Sequence, residues 1–235
     1  MGKRIIQQAR GRGGPAYRVR KKAFIYRISY PSLDVDGEAF VSRLINSSAH
    51  SAPLAEILIN NIKFYVPAAH SIYEGQKIMI GKKDSKKFEI GDIRILKDLS
   101  QGTKVFNIES FPGSGGKFLR SAGCYGTVMN KDKGKVEVLI KRKNLKFHEN
   151  SRAIIGVVSG DGRKLKPIVK AGKKYYMMSA IGRKWHRTSA VKMNAVDHPF
   201  GGGRGKRIKS KIAKRNAPAG AKVGHIRPRR TGRRK

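Results

Sequence analysis

The strongest constraint on this chain is where its charge lies. Residues 1–27 hold nine Lys/Arg and no acid, and residues 201–235 hold fourteen and again none. Residues 28–110 hold ten cations against ten acids, and residues 111–200 hold twenty against five. A segment with one sign of charge and few large apolar side chains cannot close on itself, because repulsion and ordering entropy outweigh the little burial available. Folded cores are therefore confined to the middle of the chain, and both ends are basic arms. The formal charge of +38 on 235 residues requires a polyanion to neutralise it. A membrane surface fits poorly: no apolar run approaches the ~18 residues of a span, and Ile6 stands where a myristoylation signal needs Ser or Thr. The N-terminus is basic with no apolar segment behind it, so no signal peptide is read. A single Cys124 excludes an internal disulfide framework and suits a reducing compartment. The expectation is a cytoplasmic nucleic-acid binder with no membrane partner and no small-molecule substrate.

Residues 1–23 mix Gly, Arg and Pro and read as an extended arm, with Arg10-Gly11-Arg12-Gly13-Gly14-Pro15 a poor helix. From Phe24 to Leu99 short apolar runs alternate with turn residues. Phe40-Val41 and Leu44-Ile45 flank polar Ser42-Arg43, and Leu54–Val66 reads as a hairpin about Asn60-Asn61. Short strands are also expected at 77–80 and 93–96. A second set runs through 104–108, 125–129, 135–140 and 154–158, with Asn130–Gly134 as a five-residue hairpin loop. The pattern predicts a mainly β chain of two small barrels, over 24–99 and 100–176, followed by an extended basic region over 177–235. Between strands lies Phe111-Pro112-Gly113-Ser114-Gly115-Gly116-Lys117, which is similar to a phosphate cradle. Phe118 follows Lys117 where nucleotide hydrolysis needs Ser or Thr.

From Pro167 onward the periodicity fades. Lys170–Tyr176 and Arg183–Arg187 interleave cations with aromatics, a mixture suited to phosphates and exposed bases. Trp185 is read first as a cap on the second core and alternatively as a stacker. The segment Met193–Arg204, MNAVDHPFGGGR, holds three successive glycines. Glycine serves where backbone must approach something closely. With Arg204, Lys206 and Arg207 following, that something is read as a polyanion, with a plain linker as the alternative.

The motifs carry a family resemblance. MNAVDHPFGGG at 193–203 is similar to the signature of the universal large-subunit ribosomal protein two, the L-two family. GKR at 2–4, Ser51-Ala52-Pro53, Gly102-Thr103 with Asn107 and Glu109, and PGSGGK at 112–117 stand in the expected places. So do Arg120–Gly123, the 152–158 run RAIIGVV, KPIVKAGKKY at 166–175, RNAPAG at 215–220 and RRTGR at 229–233. The last two favour the archaeal/eukaryotic branch. The resemblance implies an oligonucleotide-binding-fold barrel, then an SH3-like barrel, then a C-terminal extension threading into ribosomal RNA. It implies a primary rRNA binder of the large ribosomal subunit beside the peptidyl transferase region, serving assembly, subunit association and tRNA binding in translation. The implied partners are large-subunit rRNA, neighbouring ribosomal proteins and the small subunit at the intersubunit face. No cofactor is implied, beyond structural Mg2+ or K+ associated with the rRNA.

On this reading the candidate rRNA-binding residues are Lys3, Arg4, Arg10 and Arg12 in the arm, Lys117 and Arg120 near the Gly-rich loop, and Lys170, Lys173, Lys174, Arg183, Lys184 and Lys192 beyond it. Asn194, His198, Gly201, Gly202 and Gly203 follow in the signature, and Arg204, Lys206, Arg207, Arg215, Arg229, Arg230 and Arg233 in the tail. Phe200 replaces a second histidine common in the family, and His50 stands where arginine commonly precedes Ser-Ala. His198 is the one candidate for enzyme-like participation in peptidyl transfer or RNA modification. Against this, the other histidines (His50, His70, His148, His186, His225) lack zinc spacing. No base–nucleophile pair is evident either. The chain is therefore expected to be no enzyme. Pro199 should hold His198 extended, with Asp197 accepting backbone N–H bonds, so that the imidazole faces RNA.

Overall fold

A computed structural model describes residues 2–8, 10–81, 88–203 and 212–228. The chain divides into two compact units, Lys21–Lys170 and a second made of Met1–Arg20 with Ala171–Lys235.

The first unit is mainly β. Its strands are β1 (Gly37–Ile45), β2 (Leu54–Ile59), β3 (Ile62–Pro67), β4 (Lys77–Ile80), β5 (Ile93–Ile95), β6 (Lys104–Phe106), β7 (Gly126–Asp132), β8 (Lys135–Ile140), β9 (Lys143–His148) and β10 (Arg152–Ile155). They form one ten-stranded sheet in the order β3-β2-β1-β4-β5-β10-β6-β7-β8-β9. Each neighbouring pair is antiparallel except β4 with β5, which meet in parallel at Ile80 and Ile93. The sheet serves two apolar cores. One gathers Val41, Ile57, Ile59, Phe64, Ile78 and Ile80, and the other Leu96, Leu99, Val128, Val136, Val138 and Phe147.

β10 binds the two strand sets together. It lies between β5, with Ile154 opposite Ile93, and β6, with Ile154 opposite Phe106. Phe106 and Ile154, both from the later strand set, enter the first core, whereas Leu96 and Leu99, from the earlier set, enter the second.

Local chemistry sets the turns. Asn60 and Asn61 have φ of 43° and 61°, the left-handed pair that a primed two-residue turn demands, and they join β2 to β3 as the sequence predicts. The turn between β7 and β8 is tighter than the expected five-residue loop. Asn130–Asp132 extend β7 past a bulge between Val128 and Lys131, leaving only Lys133 (φ 37°) and Gly134 (φ 79°) in the turn. β1 is likewise one strand, with a bulge between Val41 and Arg43 rather than a break. β9 gives no alternation to read, because only Phe147 of its six residues is buried.

Buried charges are paired where they occur. Glu56 lies in β2 between strands that bring Arg43 Nε to 3.2 Å and Lys63 Nζ to 3.2 Å. Burial disfavours its charged form, but bonds from Lys63 and Arg43 outweigh that and hold the carboxyl below its ordinary range. An unpaired carboxylate there would offset the ~1.5–3 kcal/mol that burying Ile57 or Ile59 contributes.

The second unit contains α1 (Ala171–Ala180), 3₁₀ turns at Arg10–Gly13, Pro15–Tyr17 and Ala190–Lys192, and the parallel pair β11 (Ile212–Ala213) and β12 (His225–Ile226). α1 spans the expected boundary between Tyr176 and Met177. It buries none of its residues, so it carries no apolar stripe by which its sequence could announce a helix.

Candidate nucleic-acid interface

The signature segment folds as a compact loop in the second unit. Asp197 and His198 both donate their backbone N–H to the carbonyl of Asn194, at 3.0 and 3.2 Å. Gly201 N–H returns to His198 O at 2.9 Å and Gly202 N–H to Met193 O at 3.1 Å. Gly201 and Gly202 therefore make a close approach, toward the chain itself. A Cβ on Gly201 would collide with the backbone of Asn194 and Met193, and one on Gly202, at φ 78°, would lie 2.9 Å from Ala195 Cβ. Gly201 is buried, while Gly202 and Gly203 are exposed.

His198 is only 6% exposed. Its Nδ1 accepts the N–H of Phe200 at 3.1 Å, and the two rings stand 5.1 Å apart. With Nδ1 accepting, Nε2 is the ring nitrogen left for a further partner. The turn is held by main-chain bonds; among the described residues the Asp197 carboxylate accepts no backbone N–H, contrary to the role expected for it. The side chain instead lines a cleft.

That cleft, of about 510 Å³, is where the N-terminal arm meets the loop: Lys3, Arg4, Gln7, Lys192, Asn194 and Asp197 are among its walls. Lys3 N–H donates to Val196 O at 2.8 Å, which ties the arm to the loop. Lys3, Arg4 and Lys192 are all exposed, so the cleft has a cationic mouth and one carboxylate within.

A second grouping surrounds α1. Lys174 Nζ lies 5.0 Å over the Trp185 ring, and Lys184 Nζ lies 5.4 Å over Tyr17. Trp185 is not among the residues of either apolar core. Lys173 and Arg183 are exposed nearby in sequence, and Arg12 is exposed in its 3₁₀ turn, which also includes Arg10. Arg215 Nη2 donates to Arg227 O at 3.1 Å. Arg204, Lys206, Arg207, Arg229, Arg230 and Arg233 lie outside the described residues.

Lys117, Arg120 and Lys170 are exposed in the β unit. The Gly-rich loop before Lys117 is already filled. Gly115 and Gly113 N–H point to the two oxygens of Glu109, at 3.0 and 3.4 Å. The likeness to a phosphate cradle thus has a physical basis, but the anion held is the protein's own carboxylate. Arg152 closes the arrangement with Nη2 at 3.0 Å from Glu109, while its Nη1 donates to the carbonyls of Pro31 and Ser32. Tyr30 stands over that guanidinium and gives its hydroxyl to Asn107 O at 2.7 Å; burial, with Glu109 nearby, pushes its phenol well above the usual range.

Similarity to known proteins now bears on this arrangement. A family model described as "Ribosomal Proteins L2, C-terminal domain" matches residues 89–220. A large ribosomal subunit protein uL2 of Archaeoglobus fulgidus is 43% identical over 238 residues, covering 99% of each chain. The chain belongs to the ribosomal L2 family. Further uL2 proteins, from Methanococcus maripaludis at 43% and Desulfurococcus amylolyticus at 41%, align over the whole length of both partners. The L2 model takes in the Glu109–Arg152 pair, α1 and the loop 193–203. The docking residues of the arm, Lys3 and Arg4, precede it.

The cation–aromatic run 183–187 already included His186, but the sequence singled out no partner for it or for Tyr17. The signal available was their place in an acid-free stretch, where cations have only rings to lie against.

Proposed function

We propose that the chain is a structural constituent of the large ribosomal subunit in the cytoplasm, and that it binds large-subunit rRNA beside the peptidyl transferase region. Its relatives are named as large ribosomal subunit proteins, not as enzymes. The observation that carries the RNA reading is the cleft between the N-terminal arm and the signature loop. Lys3, Arg4 and Lys192 surround it, and the arm is fixed there by a main-chain bond. Cations in excess around a preformed concave surface attract phosphates, and each contact releases condensed counterion. The glycine loop shapes this surface by folding on its own backbone. Recognition is then chiefly of RNA shape, with neighbouring ribosomal proteins and the small subunit as further partners in subunit association.

Enzyme-like participation through His198 is the weaker reading. Nδ1 is committed to the Phe200 amide and the ring is buried. The role that fits is to hold the loop in shape.

Sucrose-gradient sedimentation of the tagged chain in lysate, at low and high salt and with or without nuclease, tests the proposal. Co-migration with large subunits that survives high salt but not RNA digestion is expected. Sedimentation as a free protein would overturn it.

A further inference from the structure

We propose that Trp185 and His186 form a stacking platform for an unpaired nucleobase of RNA, flanked by Lys174 and Lys184 as phosphate contacts. The inference rests on the RNA-binding reading above and adds to it a site and a ligand.

Between Ala171 and Val196 the chain has no Asp or Glu. Lys174 and Lys184 therefore have no carboxylate in their own segment, and they lie over the rings of Trp185 and Tyr17. An exposed cation–π contact is weak. A phosphate draws the Lys174 ammonium away and bares the indole that a base would stack on. The same event neutralises charge and uncovers an aromatic face.

The geometry of His186 is the second observation. Its ring centroid is 3.9 Å from that of Trp185, with the planes 40° apart. The residue is exposed, which leaves the ring accessible beside the indole. Its backbone has φ of 63°, a left-handed conformation that histidine adopts more readily than most residues other than glycine. That backbone conformation sets the direction in which the imidazole leaves the chain, beside the indole.

The end of α1 aims the pair. Gly182, at φ 66°, donates to Ser179 O, and Arg183 N–H donates to Met178 O at 2.8 Å, a left-handed helix cap. A Cβ on Gly182 would come within 3.1 Å of the Val19 amide nitrogen, so the capped turn rests directly on the N-terminal arm. Residues 184–186 thus leave the helix in a set direction.

Trp185 is the only tryptophan of the chain, so emission from the full-length protein reports this site alone. Three probes are titrated: single-stranded oligo(A), an RNA duplex of the same length, and AMP. Oligo(A) is expected to quench the emission, and the duplex to bind with little quenching. Glycine accepts φ of 63° without strain, so His186→Gly removes the ring and spares the backbone. It should weaken oligo(A) binding about tenfold, a base-stacking effect, with the salt slope and duplex affinity unchanged. Trp185→Phe, followed by filter binding, should retain most of the affinity because a flat ring remains.

Oligo(A) binding with unaltered emission would overturn the platform, as would equal losses on single strand and duplex in His186→Gly. AMP binding as tightly as oligo(A) would make this a free-nucleotide site and refute the assignment to RNA. Failure of both RNAs to bind would sink the RNA-binding reading itself, an outcome distinct from loss of the platform alone.

Discussion

Glu109 and Arg152 are 43 residues apart in sequence and bind each other at 3.0 Å in a place where Glu109 is 0% and Arg152 4% exposed. Arg152 N–H also donates to Glu109, at 2.9 Å, so one carboxylate joins β10 to the Gly-rich loop. Through Pro31 and Ser32 the guanidinium reaches a third segment. Three stretches of chain are thereby fixed around one ion pair. Removing one partner leaves the other charge buried. Glu109→Gln should cost about 3–5 kcal/mol by urea unfolding. A loss below about 1 kcal/mol would show the pair to be relaxed by water, contrary to the packing described.

Gly201 and Gly172 make a contrasting pair. Gly201→Ala drives a methyl into the Asn194 backbone and should destabilise the loop by about 1–3 kcal/mol, with weaker RNA binding. Gly172 lies in α1 with open space around it, and Gly172→Ala should be neutral or stabilising by up to ~1 kcal/mol. Thermal melting of both variants decides the matter, and equal effects would refute the close approach at Gly201.

His50 supplies a pH dependence. Burial, with Arg120 nearby, lowers its pKa from the ordinary 6.5, and its Nδ1 is 2.8 Å from Ser47 Oγ. The unfolded chain therefore binds more protons than the folded one in the window below that value. His50's contribution to stability is complete above pH ~6.5 and declines as pH falls toward the lowered folded value. Denaturation between pH 5 and pH 8 should show stability rising with pH, and His50→Gln should flatten that slope. An unchanged slope in the variant would assign the effect elsewhere.

For His198 the expected defect is structural. His198→Ala leaves the Phe200 amide without its acceptor, at a cost of about 1–3 kcal/mol, and loosens the loop. Assembly should be slowed modestly, while particles that do assemble still form peptide bonds. Complete loss of peptide-bond formation in intact, tRNA-binding particles would restore the catalytic reading.

Deletion of residues 201–235 removes fourteen cations. RNA affinity should fall and the plot of log K against log salt should become shallower. An unchanged slope would mean that the tail contacts no phosphates.

Much of the fold was legible because its signals are local. Asn60-Asn61 announces a primed turn by its own tolerance of positive φ, and the alternation of Val136, Glu137 and Val138 announces β8. β9 and α1 were not legible, since Lys143–His148 buries one residue and Ala171–Ala180 none. Of the site, the cationic arm and the signature loop could be read in advance. The enclosure of His198 and the place of Trp185 could not.

By itself, then, the sequence determined that cores lie in the middle of the chain and that the ends are cationic, and it left the glycines at 201–203 open between a close approach and a linker. Tertiary structure alone decided what is approached. Gly201 meets the backbone of Asn194, the amides of the Gly-rich loop meet Glu109, and β10 inserts between β5 and β6. The physical reason is that periodicity, charge and backbone sterics act over a few residues and can be read along the chain. Which atom fills the space of a missing Cβ, or accepts a given amide proton, depends on how the folded chain brings distant segments together.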